Sequence, residues 1–287
     1  MTDQQQKNDA TVAMNSAAKE ALYVVKIGGN IIDDETKLSS FLKLFAAIEG
    51  KKILIHGGGK VATKIGDKLG IESKYVDGRR ITDAETIDLV TMVYAGLINK
   101  KIVVQLQSHG CNAIGITGAD GNLIPAGKRP VKEIDFGFVG DVKSEQLSPG
   151  NWLSLINAGF IPVVAPLTHD GNGQLLNTNA DTIAQEVAKA LCKLYEVSLI
   201  YSFEKAGVLL DVNDESSIIQ KLSRPDYDEL KILPSGGGGA KIFAGMIPKL
   251  DNAFAALNSG VKKVVIGKAE ELDKLIKGEN GTTIINE

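Results

Sequence analysis

The sequence predicts an α/β fold: an open, mainly parallel sheet sandwiched between helices, with two lobes forming one compact unit. Three observations carry this reading. Short β-branched runs recur along the chain, stretches with helical spacing fall between most of them, and glycine-rich turns follow directly on two of the runs. Repeated strand, helix and strand implies parallel pairing, because each parallel connection must cross over the sheet and its helix then covers a face.

The runs are YVVKI (Tyr23 to Ile27), KILI (Lys52 to Ile55), AIGIT (Ala113 to Thr117), IPVVA (Ile161 to Ala165), VSLIYSF (Val197 to Phe203) and VKKVVI (Val261 to Ile266). Their nearly continuous apolar content suits strands buried on both faces. ITDAETIDLVTMVYAGLINKKIVVQLQSHG (Ile81 to Gly110) reads as a long helix, with Thr82 and Glu85 spaced as a capping box and Gly110 closing it. In ADTIAQEVAKALC (Ala180 to Cys192), Ile183, Val187 and Leu191 share one helical face. GMIPKLDNAF (Gly245 to Phe254) opens another helix, with Lys249 in its first turn just after a proline. EIDFGFVGDVKSEQL (Glu133 to Leu147) reads as a small hairpin excursion. The expected organisation is a polar, disordered tail over residues 1–20, an N-lobe over 21–175 and a C-lobe over 176–287, with no internal repeat or linker.

With 287 residues, 44% hydrophobic and 23% charged, the chain has enough apolar content for a full core. Its 32 basic and 35 acidic residues, a net charge of −3 without long runs of one sign, argue against nucleic acid or a membrane surface as partner. Small molecules and a second copy of the chain are the expected partners. Cys111 and Cys192 lack metal-type spacing and read as reduced packing residues. No apolar stretch reaches the roughly 18 residues of a membrane span, and MTDQQQKNDATVAMNSAAKE lacks a signal-peptide core. A cytoplasmic location is expected.

Ligands of such sheets sit beyond the carboxyl ends of the strands. VVKIGGN sets Gly28 and Gly29 after the first strand, and LIHGGGK sets Gly57, Gly58 and Gly59 after the second. Glycine lets backbone N–H groups approach an oxyanion closely, so two such turns can form an anion-binding rim. Neither turn has the spacing of a P-loop or of G-x-G-x-x-G, nor does PSGGGGAK (Pro234 to Lys241). Each alone reads equally as a tight turn or as a phosphate site.

Their company narrows the reading. Lys26 lies inside an apolar strand, where a cation needs an anion or must snorkel out. Asn177, Asn179 and Asp181 precede a helix that needs one cap. Lys249 is unfavourably placed against the helix dipole unless an anion is nearby. In DGRRITD, Arg79 and Arg80 are surface charges or one of them is a bidentate clamp for a carboxylate.

Taken in order, KIGGN, HGGG, GRRITD, NTNADTIA, EKAGVL and GMIPKL resemble the amino acid kinase family, and within it the branch that phosphorylates acylglutamates in arginine biosynthesis. The resemblance runs from Tyr23 to the C-terminus. It implies ATP-dependent phosphorylation of the γ-carboxylate of N-acetyl-L-glutamate. N-succinylglutamate as substrate, another acid kinase of the same fold, or a non-catalytic sensor are the alternatives. Both family lysines are retained, which disfavours the sensor. By the resemblance, Lys26 and Lys249 stabilise the transferring phosphoryl group and Asp181 positions them; Gly58, Gly59, Arg80 and Asn177 hold the acylglutamate. Gly28, Gly29, Glu204, Lys205, Gly207 and Gly245 are the implied phosphate and nucleotide contacts. The N-lobe then binds acylglutamate and dimerises, and the C-lobe binds ATP. LPSGGGGAKIFAGMIPKL is longer and richer in glycine than the family's usual approach to its second lysine, which leaves the role of Gly236 to Gly239 open. Arginine-inhibited members of the family carry an N-terminal helix that joins dimers into hexamers. The polar tail here offers little apolar face for one, so a homodimer without strong arginine feedback is expected.

The chemistry implied needs no general base, since a γ-carboxylate with a pKa of about 4.3 is already ionised at neutral pH. His56, His109 and His169 are therefore not required as catalysts. The task is electrostatic, because an anion must approach a polyanion. Lysines, glycine amides and the Mg²⁺ of the ATP complex suit it, and with the ion held by phosphates and water no dedicated protein metal site is expected. The hairpin over Phe136 to Val142 is expected to act as a lid that excludes water.

Overall fold

The computed structural model describes residues 19–76, 78–211, 214–232 and 246–286. The tail up to residue 18, the run Gly236 to Gly239 and Gly245 lie outside the described residues. All six expected strands are present, as β1 (Ala21–Ile27), β2 (Lys51–His56), β3 (Ala113–Ile116), β4 (Ile161–Val164), β5 (Glu196–Phe203) and, after the short β6 (Lys221–Leu222), β7 (Lys263–Lys268). With β8 (Thr282–Ile284) they form one eight-stranded sheet in the order β6-β8-β7-β5-β1-β2-β4-β3. Only the β7–β8 pair is antiparallel; the others are parallel. The sheet runs without a break across the expected boundary, since β1 to β4 precede residue 175 and β5 to β8 follow it, and β1 and β5 pair along seven residues.

Period-two alternation divides each strand between two helix layers. Leu22 and Val24 of β1, Ile53 and Ile55 of β2, and Leu199 and Tyr201 of β5 face one layer. Val25, Ile27, Leu54 and Ile200 face the other. The second layer includes α1 (Glu35–Ala46), α2 (Gly59–Leu69) and the long helix that runs as α3 (Ala84–Val90), a π-helical segment (Thr91–Ile98) and α4 (Asn99–Ser108). The first includes α5 (Pro149–Asn157), α6 (Ala180–Leu191), α7 (Arg224–Ile232) and α8 (Ile247–Asn258), while α9 (Leu272–Lys277) returns to the second. Ile183, Val187 and Leu191 of α6 are fully buried, each worth about 1.5–3 kcal/mol in apolar transfer.

Three local expectations are revised. The long helix is capped by Asp83, whose Oδ1 accepts from Thr86 N at 2.9 Å, rather than by a Thr82–Glu85 box. Thr82 is instead buried within the fold. The π-helical segment was invisible to periodicity because TMVYAGLI is apolar almost all round and carries little record of pitch. The hairpin begins earlier than Glu133: Gly127 and Lys128 pair with Gly140 and Asp141. Its outer arm is stitched to the core, with Thr82 N donating to Phe136 O at 2.9 Å, Phe138 N to Thr82 O at 2.7 Å and Asn177 N to Phe138 O at 2.8 Å.

Among the described residues no helix is long and apolar enough to cross a membrane. Cys111 and Cys192 are free and buried.

Candidate active site

The central strands β5, β1 and β2 end side by side, with Ile27 in register with Ser202 on one flank and His56 on the other. The chain therefore leaves the sheet at Gly28, Gly57 and Glu204 on one edge, and the three turns surround a cavity of about 900 Å³. Its walls bring together Lys26, Gly28, Gly29, Gly58, Gly59, Asp181, Glu204, Lys205, Gly207 and Lys249.

Lys26 follows Leu22 and Val24 on the face of β1 that α6 covers, so strand alternation aims it at the first turn of that helix. There Asn179 is the cap, its side chain accepting from Asp181 N and Thr182 N. Asp181 is the next acidic group inward, and its Oδ1 lies 2.8 Å from Lys26 Nζ. Lys249, in the first turn of α8, donates to Asp181 Oδ2 at 2.6 Å. The anion that Lys249 requires so near a helix N-terminus is thus Asp181. Tyr201, beside Lys26 in the sheet, donates its hydroxyl to Asp181 O at 3.2 Å and pins the turn.

Burial alone would raise the Asp181 carboxyl, but the ammonium groups of Lys26 and Lys249 outweigh it and hold the group well below the usual carboxylate range. Burial lowers the Lys26 ammonium, Asp181 opposes the shift, and Lys249 adds to it by like-charge repulsion. Two cations share one carboxylate, so the cluster carries a net charge of about +1.

The glycines divide by role. A Cβ at Gly58, where φ is +154°, would collide with Ile98 Cδ1 and approach Tyr94 Cδ1 to 3.0 Å, so the turn closes down only with glycine. Gly29 and Gly59 have nothing within 4 Å of such a Cβ and present open backbone. Gly28 N donates to Ser202 O at 2.8 Å, which commits that amide to the sheet. A Cβ at Gly207 would meet Thr282 Oγ1 at 2.6 Å, a packing requirement. Glu204 Oε1 accepts from Asn30 Nδ2 at 2.7 Å, which ties the turn after β1 to the turn after β5.

Arg80 stands behind the cavity wall. Its buried guanidinium donates to Ser73 Oγ, to Gly59 O at 2.8 Å and to Thr63 Oγ1 at 2.9 Å, and lies 4.8 Å from the Tyr75 ring centre. Among the described residues no carboxylate forms an ion pair with it. Asn177 is set farther back, its side chain donating to Thr82 Oγ1 at 3.0 Å. Asn30, Lys60 and Asn179 also line the cavity. The sequence reading assigned them no place in the site, although the first two adjoin its glycine turns.

Among the described residues no three His, Cys, Asp or Glu side chains gather into a metal site. The two carboxylates on the cavity wall are Asp181, neutralised by lysines, and Glu204, hydrogen-bonded to Asn30. These residues do not fit a protein-held cation.

A model of the amino acid kinase family matches residues 21–268. The chain belongs to the amino acid kinase family. Curated relatives include the acetylglutamate kinase of Cytophaga hutchinsonii, 56% identical over 92% of this chain and 97% of that one. The acetylglutamate kinase of Bacteroides thetaiotaomicron is 54% identical over 93% of this chain and 99% of its own length. Among solved structures, carbamate kinase from Giardia lamblia bound to AMP-PNP superposes with a TM-score of 0.66 at 13% identity, over 95% of this chain and all of that one, a likeness of fold alone. In this amino acid kinase the described residues carry the expected mainly parallel sheet between two helix layers.

Because the Asp181 carboxyl is depressed on folding, its ionised form adds stability that is complete at neutral pH and is lost as pH falls below the unfolded value of about 3.9. Asp181→Asn, which leaves two facing ammonium groups, is expected to lower the unfolding free energy by about 3 kcal/mol at neutral pH. The deficit relative to the parent should stay constant down to about pH 5 and shrink below about pH 4. Urea titrations across the acid range measure it; a deficit that already shrinks near pH 6 contradicts the assignment.

Proposed function

We propose that this chain transfers the γ-phosphoryl group of MgATP to the γ-carboxylate of N-acetyl-L-glutamate, giving N-acetylglutamyl 5-phosphate and ADP in arginine biosynthesis. The observation that carries the proposal is the pair of ammonium groups, Lys26 and Lys249, held by one buried carboxylate on the wall of a glycine-rimmed cavity. Relatives more than half identical over nine-tenths of the chain bear the name acetylglutamate kinase.

The nucleophile is an ionised carboxylate, so no side chain need take a proton from it. His56 is unsuited to that task, since burial holds its imidazole down to about 4 and it stays neutral. The barrier is repulsion between acceptor and donor anions and charge that spreads over the equatorial oxygens. Lys26 and Lys249 face that charge from β1 and α8, and Asp181 keeps both ammonium groups in place before the substrates arrive. The turns offer the backbone amides of Gly29, Gly58 and Gly59, Gly28 N being bound to Ser202 O, and the nucleotide's phosphates and water would hold its Mg²⁺. Residues 21–175 supply most of the acylglutamate side, with Arg80, joined by Asn177 from just beyond that span, and the rest of residues 176–287 the nucleotide side, with Glu204, Lys205 and Gly207. Arg80, buried with only neutral oxygen partners, has capacity left for a substrate carboxylate. In this reading the segment at Phe136 to Val142, stitched to Thr82 and Asn177, shields the acylglutamate from water. Free, buried cysteines accord with a cytoplasmic enzyme.

A homodimer is part of the same reading. Met92, Leu97 and Val104 are exposed along the long helix, and burying this apolar face against a second copy is its favoured use. Light scattering at twice the chain mass supports it, and a single-chain mass rejects it.

An ADP-release assay offering N-acetylglutamate, N-succinylglutamate and glutamate in parallel tests the substrate; turnover of N-acetylglutamate at the highest kcat/KM is expected. In that assay Lys26→Met and Lys249→Met should each lower kcat by about 10²-fold or more, the cost of removing a preorganised charge. A folded variant with near-parental turnover removes that lysine from the mechanism. Arg80→Lys should raise KM for acetylglutamate by about tenfold with KM for ATP little changed, because an ammonium cannot form the bidentate pair. Equal rises for both substrates place the clamp elsewhere.

A further inference from the structure

His56 ends β2 immediately before the glycine turn, on the sheet face opposite Lys26. It is fully buried, and the mechanism above gives it no task. Its Nδ1 lies 2.8 Å from Gly57 O, and its Nε2 lies 3.1 Å from Asn99 Nδ2. The direction of each bond follows from the surroundings of Asn99. Asn99 Nδ2 is 2.9 Å from Val163 O, a carbonyl that can only accept, and Asn99 Oδ1 is 3.2 Å from Lys100 Nζ, an ammonium that can only donate. The amide is thereby oriented: its nitrogen donates to His56 Nε2, so Nε2 is bare and the imidazole proton is on Nδ1, donated to Gly57 O. Lys100 is itself anchored, donating to Gly115 O at 2.9 Å.

Carbonyl and N–H of one trans peptide point in opposite directions. With Gly57 O drawn down toward His56, the N–H of Gly58 is turned away from the sheet, on the side where Gly58 lines the cavity. Among the described residues that N–H donates to no acceptor. The same turn is backed by the π-helical segment: Tyr94 and Ile98 close against Gly58, and Asn99 follows directly. A π bulge places a residue where an uninterrupted α-helix would not.

We propose that His56, donating from Nδ1 to Gly57 O, is a positioning residue that turns the Gly58 N–H toward the transferring phosphoryl group, and that Tyr94, Ile98 and Asn99 are the mould that holds it so. The inference rests on the phosphoryl-transfer reading of the cavity. His56 itself touches neither substrate; it acts through one peptide bond.

The test is a pair of substitutions of similar size and polarity. In His56→Asn the amide nitrogen stands where Nδ1 stood and still donates to Gly57 O; in His56→Gln the amide reaches the Nε2 position instead, where its oxygen accepts from Asn99 Nδ2 and no donor is left for Gly57 O. His56→Gln should lose about tenfold or more in kcat while KM for both substrates moves less than about threefold, and His56→Asn should stay within about threefold of the parent. Equal losses in the two variants, at similar thermal midpoints, overturn the proposal. If neither variant folds, ¹⁵N–¹H spectra of the imidazoles in the parent protein decide: a His56 proton on Nδ1 upholds the proposal and one on Nε2 overturns it. The two readings fail separately. A parent without turnover on acetylglutamate removes the phosphoryl-transfer reading, and with it this one; an active parent with indifferent variants removes only the role of His56.

Discussion

One buried carboxylate holding two ammonium groups is the interaction on which the rest of the site depends. Asp181 must be ionised to balance Lys26, whose own charged form burial disfavours, and it stays ionised because both lysines are there. Neither arrangement stands alone: without the carboxylate two cations would repel across the floor of the cavity, and without the lysines the carboxylate would be an isolated buried charge. The three groups come from β1, α6 and α8, so the cluster also ties three elements that are far apart in the chain. Its excess positive charge is the property that suits a polyanionic ligand, and it is fixed before any ligand arrives.

The sheet supplies the geometry that this cluster needs. Because β5, β1 and β2 are adjacent and parallel, their carboxyl ends and the turns that follow open on one edge. Alternation then separates the two chemical tasks by face. Lys26 points to the helix layer that carries Asp181 and Lys249, whereas His56 on the neighbouring strand points to the layer that carries the π-helical segment. One layer thus supplies charge and the other supports the backbone of the glycine turn.

Much of this was legible in the sequence, and the reasons are particular. Lys26 stood out because a cation in YVVKI violates the apolar pattern, and Lys249 because it opposes a helix dipole; each anomaly pointed to an anion, and both resolve on Asp181. The strands were readable because burial on both faces leaves continuous apolar runs. The short β6 and β8 were not, since two or three mixed residues carry no pattern. The π-helical pitch is hidden in a uniformly apolar segment, and the choice between Thr82 and Asp83 as cap depended on Thr82 being taken up by Asn177. The partners of His56 lie 1 and 43 residues away along the chain, and the nearer one is a backbone carbonyl that no side-chain pattern announces.

The most direct test of the central claim is a crystal structure with MgADP, aluminium fluoride and N-acetylglutamate bound, in which the planar fluoride stands in for the transferring phosphoryl group. The account predicts Lys26 Nζ and Lys249 Nζ on opposite flanks of that group, each within about 3 Å of a fluoride, with Asp181 still bridging them from behind. A fluoride plane bound elsewhere in the cavity, with either ammonium directed only at Asp181, contradicts it.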